Sequence, residues 1–135
     1  MMRSTIRLSL FAMIVAALNV SAAPATQPDT ETVLVTHRVR AGSEDEYLKL
    51  LARQWAALTK NHLVQEKPHM VLRGDEGGKP YFVEIFSWVN HDAADNVPAD
   101  VAAVWEEMGK LVESRNGHRG IEFPEVHDVQ LPAAQ

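Results

Sequence analysis

The sequence contains no cysteine among its 135 residues. This absence excludes disulfides, thiol nucleophiles, thiolate metal sites and a lipid-bearing cysteine. Basic residues are scarce too, because 13 Lys and Arg stand against 18 Asp and Glu, a net charge of −5. Nucleic acid needs clustered cations to neutralise its phosphates, and this chain has no such cluster. We therefore expect no nucleic-acid partner.

Long apolar runs are also missing, except near the N-terminus. There, Leu8 to Val20 follows Arg3 and Arg7 and precedes small residues, the pattern of a secretory signal. We expect cleavage after Ala25, which leaves 110 of the 135 residues with 11 basic and 18 acidic side chains. No later run approaches the ~20 residues of a membrane span. The sequence predicts an exported protein, periplasmic rather than extracellular, with no span in the mature chain.

The mature chain has room for one core. We expect a signal peptide at 1–25, an N-terminal tail at 26–31, one domain at 32–131 and a C-terminal tail at 132–135.

Two segments alternate as strands do. The first, 33–40, places Val33, Val35, His37 and Val39 on one face. The second, 81–89, places Phe82, Glu84, Phe86 and Trp88 on one face and Tyr81, Val83, Ile85, Ser87 and Val89 on the other. Both faces of these strands are largely apolar, so both should be covered.

Two segments repeat as helices do. The first starts with a capping box from Ser43 to Glu46 and should run to about His62. Its predicted apolar stripe is Tyr47, Leu48, Leu51, Trp55 and Leu58. The second should run from Pro98 to Arg115, with its apolar stripe formed by Val101, Val104, Trp105, Met108, Leu111 and Val112.

Two further strands complete the pattern, one over 69–73 and one over 121–131. Pro124 predicts an edge position or a bulge in the last strand, and the glycine-rich segment 74–80 predicts a hairpin turn rather than a phosphate-binding loop. The order βαββαβ is that of an α+β, ferredoxin-like fold. Two helices cover only one face of a four-stranded sheet, so we expect a homodimer in which two sheets pack face to face.

The layout resembles the antibiotic biosynthesis monooxygenase group of the dimeric α/β-barrel superfamily. The resemblance rests on the order and spacing of three segments, 33–47, 82–88 and 104–108. It implies a dimer with a small apolar pocket between the helices and the sheet of each subunit. It also implies oxygenation of aromatic polyketide-like or quinol-like compounds without a cofactor.

Glu84 and His37 are the predicted catalytic residues. A carboxylate between Phe82 and Phe86 is costly unless paired, and such a group can act as a general acid or base. Histidine exchanges protons near neutral pH and could deprotonate a phenol-like substrate. The alternatives are an ion pair of Glu84 with Arg38, Arg40 or Arg73 or an exposed edge position, and a hydrogen-bonded histidine at the dimer interface.

Large, flat side chains could hold a flat ligand. The predicted substrate-binding residues are Trp55, Trp88, Trp105 and Met108, with ordinary core packing as the alternative. We expect no metal site, because no histidine pair has the i, i+4 spacing of a zinc motif, and we expect no cofactor. Haem-degrading relatives carry an iron-binding histidine on the second helix, and segment 98–115 contains none.

Two functions stay open at this stage. One is an exported monooxygenase acting on a small aromatic or quinol-like compound. The other is a dimer that binds or senses a small hydrophobic ligand without reaction, which export slightly favours. A purely structural association module is a third interpretation.

Overall fold

A computed structural model describes residues 29–134, and the predicted signal peptide lies outside them. The elements follow one another in the predicted order. They are β1 (Glu31–His37), α1 (Glu44–Lys60), β2 (Val64–Glu76), β3 (Lys79–Trp88), a short 3-10 helix (Ala93–Asn96), α2 (Ala99–Leu111), β4 (Ile121–Glu122) and β5 (Glu125–Val126). Within residues 29–134, no helix is both long and apolar enough to cross a membrane.

The strands form one antiparallel sheet in the order β2-β3-β1-β4, and β5 also pairs with β1. Residues from both helices pack with one face of this sheet in two apolar clusters. This arrangement confirms the predicted α+β, ferredoxin-like fold.

The register of β1 and β3 decides which side chains meet beneath the helices. Val35 lies opposite Glu84, and His37 lies opposite Phe82. Because side chains alternate along a strand, these four share the helix-facing side of the sheet, and all are buried. The predicted grouping of side chains on each strand is therefore confirmed.

The other face of the sheet is not covered by the described residues. Leu34 and Met70 flank Ile85 on this face, and Leu72 lies next to Val83. Met70 and Leu72 are 50% and 49% exposed, a large fraction for apolar side chains. Leu34, Val83 and Ile85 are half-buried.

Helix α1 differs from its prediction in two respects. It buries Tyr47, Leu50, Leu51, Gln54 and Leu58, whereas Leu48 is exposed and Trp55 is half-buried. The capping box is also wrong in detail, because the Ser43 side chain makes no capping hydrogen bond. The Ser43 carbonyl instead accepts the Tyr47 N–H at 2.9 Å, and three acidic residues in the first turn suit the positive end of the helix dipole.

Strand β2 is longer than the predicted 69–73, because its pairing with β3 continues to the turn. The hairpin itself is confirmed, and its two turn residues are Gly77 and Gly78, with φ of 60° and 84°. Gly74 belongs to the strand rather than to the turn. It lies opposite Tyr81, and a Cβ on it would stand 2.1 Å from the Tyr81 ring.

Helix α2 ends at Leu111, four residues before the predicted end. Val112 is extended and bridges to Val39 of the segment after β1. Arg115 is buried beyond the helix, and its guanidinium donates to the carbonyl oxygens of Val39 and Pro80, the latter at 2.7 Å. A buried arginine that satisfies backbone carbonyls fixes this loop against the sheet.

Pro124 divides the last strand as predicted. It separates β4 from β5, and its carbonyl accepts the Leu34 N–H at 3.1 Å. Proline has no N–H to give to a ladder, so the pairing is interrupted at this edge position. Residues 127–131, predicted as strand, are irregular.

Candidate functional site

A cavity of about 460 Å³ lies between the helices and the sheet, within the size range of small-molecule sites. Its walls are mainly apolar, and a few polar groups stand at its inner end and at its mouth. The lining residues are Glu31, Val33, Val35, His37, Gln54, Glu84, Phe86, Trp88, His91, Ala94, Asp95, Trp105, Met108, Ile121 and Phe123.

Glu84 lies in the middle of β3 and is completely buried. Its Oε1 accepts a hydrogen bond from Gln54 Nε2 at 2.9 Å, and its Oε2 lies 3.3 Å from His69 Nε2. The arginine pairings considered from the sequence do not form, since Arg38 pairs with Glu122 and Arg73 with Glu44. Glu84 is therefore a buried carboxylate held by an amide and an imidazole.

His37 lies on β1 beside Glu84 and is 1% exposed. Its Nδ1 is 2.7 Å from the Tyr47 hydroxyl, whereas its Nε2 has no hydrogen-bond partner among the described residues. The Nε2 atom is 3.8 Å from Glu84 Oε1, which is beyond hydrogen-bond distance. The structure thus brings the two predicted catalytic side chains together at the inner end of the cavity.

Tyr47 sets the direction of its hydrogen bond to His37. Burial raises the pKa of the Tyr47 hydroxyl, and the nearby carboxylate of Glu84 raises it further. The hydroxyl therefore keeps its hydrogen, and its one hydrogen-bond partner within residues 29–134 is His37 Nδ1. In neutral His37, the ring hydrogen is then on Nε2, which makes this atom a hydrogen-bond donor on the side of the ring that faces Glu84.

A short chain of hydrogen bonds fixes the Glu84 carboxylate from the helix side. Trp105 Nε1 donates to Gln54 Oε1 at 2.8 Å, and Gln54 Nε2 donates to Glu84 at the other end of the amide. This chain links α2, α1 and β3 and orients the Gln54 amide, since only one of its two flips satisfies both bonds.

His69 connects Glu84 with solvent at the β2 edge of the sheet. Its side chain is 26% exposed and stacks on the Trp55 ring, with centroids 3.5 Å apart and planes within 3°. The stack holds the imidazole with Nε2 towards Glu84. His69 is therefore the partly exposed end of a polar group whose other members are buried.

The predicted substrate-binding residues divide into two groups. Trp88, Trp105 and Met108 line the cavity, and the two indoles meet edge to face with centroids 6.3 Å apart. Trp55 does not line it, because the buried stripe of α1 passes through Gln54, and Trp55 stacks on His69 beside this stripe. Trp55 instead borders a second, shallower cavity with Thr59 and Val64.

Sequence reasoning missed Gln54, His69 and the role of the Tyr47 hydroxyl. Gln54 stands seven residues after Tyr47 and four before Leu58, so a polar residue in an otherwise apolar helical repeat was the available signal. His69 belongs to no histidine pair with metal-ligand spacing, so no pattern in the sequence pointed to it. Among the described residues, no three His, Asp or Glu side chains form a group suited to a metal ion.

The mouth of the cavity carries a second histidine–carboxylate pair. His91 Nδ1 lies 2.7 Å from Glu31 Oε2. This hydrogen bond raises the pKa of His91, and the negative charge of Glu31 raises it further, by a smaller amount. Asp95 also lines the mouth, and Phe123 is 70% exposed there. The mouth is therefore polar and acidic on one side and apolar on the other.

No protein-family model matches the chain, and no curated protein sequence matches it. Several solved structures, however, are similar to this chain in fold. SnoaB, a cofactor-independent oxygenase from Streptomyces nogalater, shares 20% identity and a TM-score of 0.58, covering 76% of this chain and 96% of that one. A candidate antibiotic biosynthesis monooxygenase from Bacteroides thetaiotaomicron shares 12% identity and a TM-score of 0.55, covering 79% and 95%.

A second candidate antibiotic biosynthesis monooxygenase, from Caulobacter crescentus, shares 18% identity and a TM-score of 0.51, covering 76% of this chain and 93% of that one. This chain has the antibiotic biosynthesis monooxygenase fold. The resemblance predicted from the sequence is thereby confirmed for the fold. Because one fold serves many reactions, the function of this domain depends on its own residues.

Proposed function

We propose that the chain is a monooxygenase that needs no cofactor and acts on a small aromatic or quinol-like compound. The observation that carries this proposal is the meeting of Glu84 with His37 at the inner end of an apolar cavity. Glu84 accepts the proton of a substrate hydroxyl, and His37 Nε2 donates a hydrogen bond to the resulting oxyanion. The deprotonated, electron-rich ring then reduces O2.

The electron balance limits the substrate. In the absence of an external reductant, all electrons that reduce O2 come from the substrate. A hydroxyaromatic compound whose keto tautomer carries a ring methylene meets this requirement, because the methylene and O2 give a ring carbonyl and water. The aromatic walls at Trp88 and Trp105 suit a flat molecule of this kind.

Oxygen uptake with anthrone-type compounds tests the proposal. We expect uptake with the mature chain, and its loss in a variant that combines Glu84→Gln with His37→Asn. The asparagine amide can still meet the Tyr47 hydroxyl, so this variant removes the groups facing the cavity with little change in shape. Glu106→Gln, on the exposed side of α2, is the matched control. Full turnover by the double variant would exclude the mechanism.

A second candidate is a dimer that binds or senses a small hydrophobic ligand without reaction. Both oxygens of Glu84 already have hydrogen-bonding partners, which favours a carboxylate kept for binding or structure over a free base. Tight binding of an anthrone-type compound with no oxygen uptake above the uncatalysed rate would favour this function.

The open sheet face supports a homodimer. Apolar side chains from β1, β2 and β3 make up this face, and a second copy of the same sheet would bury them through a twofold axis. Native mass spectrometry of the mature chain measures the oligomeric state directly. A monomer at micromolar concentration would contradict the proposed dimer.

Export to the periplasm is part of the proposal and rests on segment 1–25 of the sequence. Expression of the full chain in a Gram-negative host should give a periplasmic product that begins at Thr26. Intact-mass measurement of the periplasmic and cytoplasmic fractions checks this expectation, and an uncleaved cytoplasmic chain would contradict it.

A further inference from the structure

We propose that the cavity selects uncharged or cationic aromatic molecules and rejects their carboxylated counterparts. This inference names the ligand class of the proposed site and rests on the proposed function only in taking the cavity as the ligand site. It is carried by the charges that line the cavity and by the hydrogen-bond donors already engaged there.

The charged lining is one-sided. Within the part of the chain that the structure describes, three carboxylates, those of Glu31, Glu84 and Asp95, line the cavity, and no lysine or arginine does. The cationic candidates are His37 and His91, and His91 already faces Glu31 at 2.7 Å. A site built to hold a carboxylate commonly presents an arginine fork or several free N–H groups.

The side-chain N–H groups of Trp105 and Gln54, which lie near the inner end, are already in use. Trp105 Nε1 donates to Gln54, and Gln54 Nε2 donates to Glu84. His69 of the edge strand β2 directs its Nε2 at the same carboxylate. Among residues 29–134, the one fully buried side-chain nitrogen of the lining without a hydrogen-bond partner is His37 Nε2, and it lies 3.8 Å from Glu84 Oε1.

An anion placed at this nitrogen would stand beside a fully buried carboxylate. Like charges a few ångströms apart repel strongly where water is excluded, so one donated hydrogen bond does not offset the repulsion. A neutral hydroxyl fits the same place, because it can donate to Glu84 and accept from His37. A cation gains from the same carboxylate and from the indole faces of Trp88 and Trp105.

Three naphthalene compounds of matched shape separate these cases. They are 2-naphthylmethanol, 2-naphthylmethylammonium and 2-naphthoate, titrated into the mature protein by calorimetry at neutral pH. We expect the alcohol and the ammonium compound to bind, and the naphthoate to bind at least about tenfold more weakly than the alcohol. Naphthoate binding as tight as that of the alcohol would overturn the inference.

Two charge variants assign the effect to the lining. Glu84→Gln should reduce the ratio of the naphthoate and alcohol dissociation constants severalfold. Asp95→Asn, an exposed change at the mouth that leaves the buried network intact, should reduce this ratio less. Glu106→Gln, outside the cavity, should leave the ratio of dissociation constants unchanged. An unchanged ratio in both cavity variants would overturn the inference.

The outcomes also separate this inference from the proposed reaction. Discrimination by charge without oxygen uptake from any uncharged aromatic compound would support the inference and reject the monooxygenase. Failure of all three compounds to bind would overturn both, because the cavity would then not be a site for aromatic ligands.

Discussion

The Tyr47 hydroxyl lies 2.7 Å from His37 Nδ1, and both side chains are buried. The contact joins the first helix to the first strand and fixes the plane of the imidazole. It also decides which ring nitrogen carries the hydrogen in neutral His37, because the Tyr47 hydroxyl keeps its own. A residue that does not line the cavity thereby sets the chemistry of one that does.

Tyr47→Phe should therefore change the tautomer of His37 while the protein stays folded. The variant leaves Nδ1 buried without a partner, which should lower the free energy of unfolding by about 1–3 kcal/mol. The ring hydrogen is then free to occupy Nδ1, and ¹⁵N chemical shifts of the histidine side chains report the change of tautomer. Urea denaturation measures the stability.

Tyr81→Phe is the matched control for Tyr47→Phe, because Tyr81 lies on the open sheet face, away from His37. We expect it to leave the His37 spectrum unchanged. An unchanged His37 spectrum in Tyr47→Phe would show that the hydroxyl does not select the tautomer.

His69 is expected to act as a positioning residue for Glu84. His69→Phe keeps a flat ring against Trp55 but removes the hydrogen bond to Glu84 Oε2, whereas His69→Ala removes both. Turnover should fall about tenfold in both variants, because a hydrogen bond to a charged group contributes about 1.5 kcal/mol, which corresponds to roughly tenfold in rate. The free energy of unfolding should fall further in His69→Ala, because this variant also loses the stack on Trp55. Full turnover in His69→Phe would leave His69 with a packing role alone.

His91, which is paired with Glu31 at the cavity mouth, should titrate at a higher pH than a free histidine. The hydrogen bond from His91 to Glu31 raises the pKa of His91 above its ordinary value of 6.5. A raised folded-state pKa stabilises the fold below the unfolded pKa, and this stabilisation is lost as the pH rises through the folded pKa. NMR titration should show His91 above 6.5 in the wild type and closer to 6.5 in Glu31→Gln.

The effect of the Glu31–His91 pair on stability should be small, because the His91 side chain is 69% exposed and salt screens the pair. Glu125→Gln is the matched control, since Glu125 is the weakest of the charges that raise the pKa of His91. A His91 titration that does not respond to Glu31→Gln would contradict the pairing.

The strands could be predicted well because alternation assigns each side chain to a face. Glu84 and His37 were both recognised as polar residues in apolar strand patterns, and the register of β1 and β3 then brings them together. The sequence does not carry that register directly, so it could not say which face receives the helices. Tertiary packing decides this point.

Helix α1 shows where the sequence was ambiguous. Tyr47, Leu51 and Leu58 belong to two possible apolar stripes, one that includes Leu48 and Trp55 and one that includes Leu50 and Gln54. Hydrophobicity favours the first, but the buried carboxylate of Glu84 needs a donor, and Gln54 supplies it. A hydrogen-bond donor required by Glu84 on a distant strand thus determines which face of the helix is buried. The local sequence pattern of the helix contains no information about that requirement.

A charged substitution on the open sheet face tests whether this face is the dimer interface. Ile85 lies at its centre, between Leu34 on one neighbouring strand and Met70 on the other. Ile85→Lys would place a charge within the proposed interface, where an unpaired ammonium is costly to bury, whereas in a monomer the lysine would reach water. We therefore expect Ile85→Lys to be a folded monomer by native mass spectrometry and circular dichroism. Leu48→Lys, at an exposed apolar position of α1, should remain a dimer. A dimeric Ile85→Lys variant would place the interface elsewhere, and the apolar side chains around Ile85 would then need a different cover.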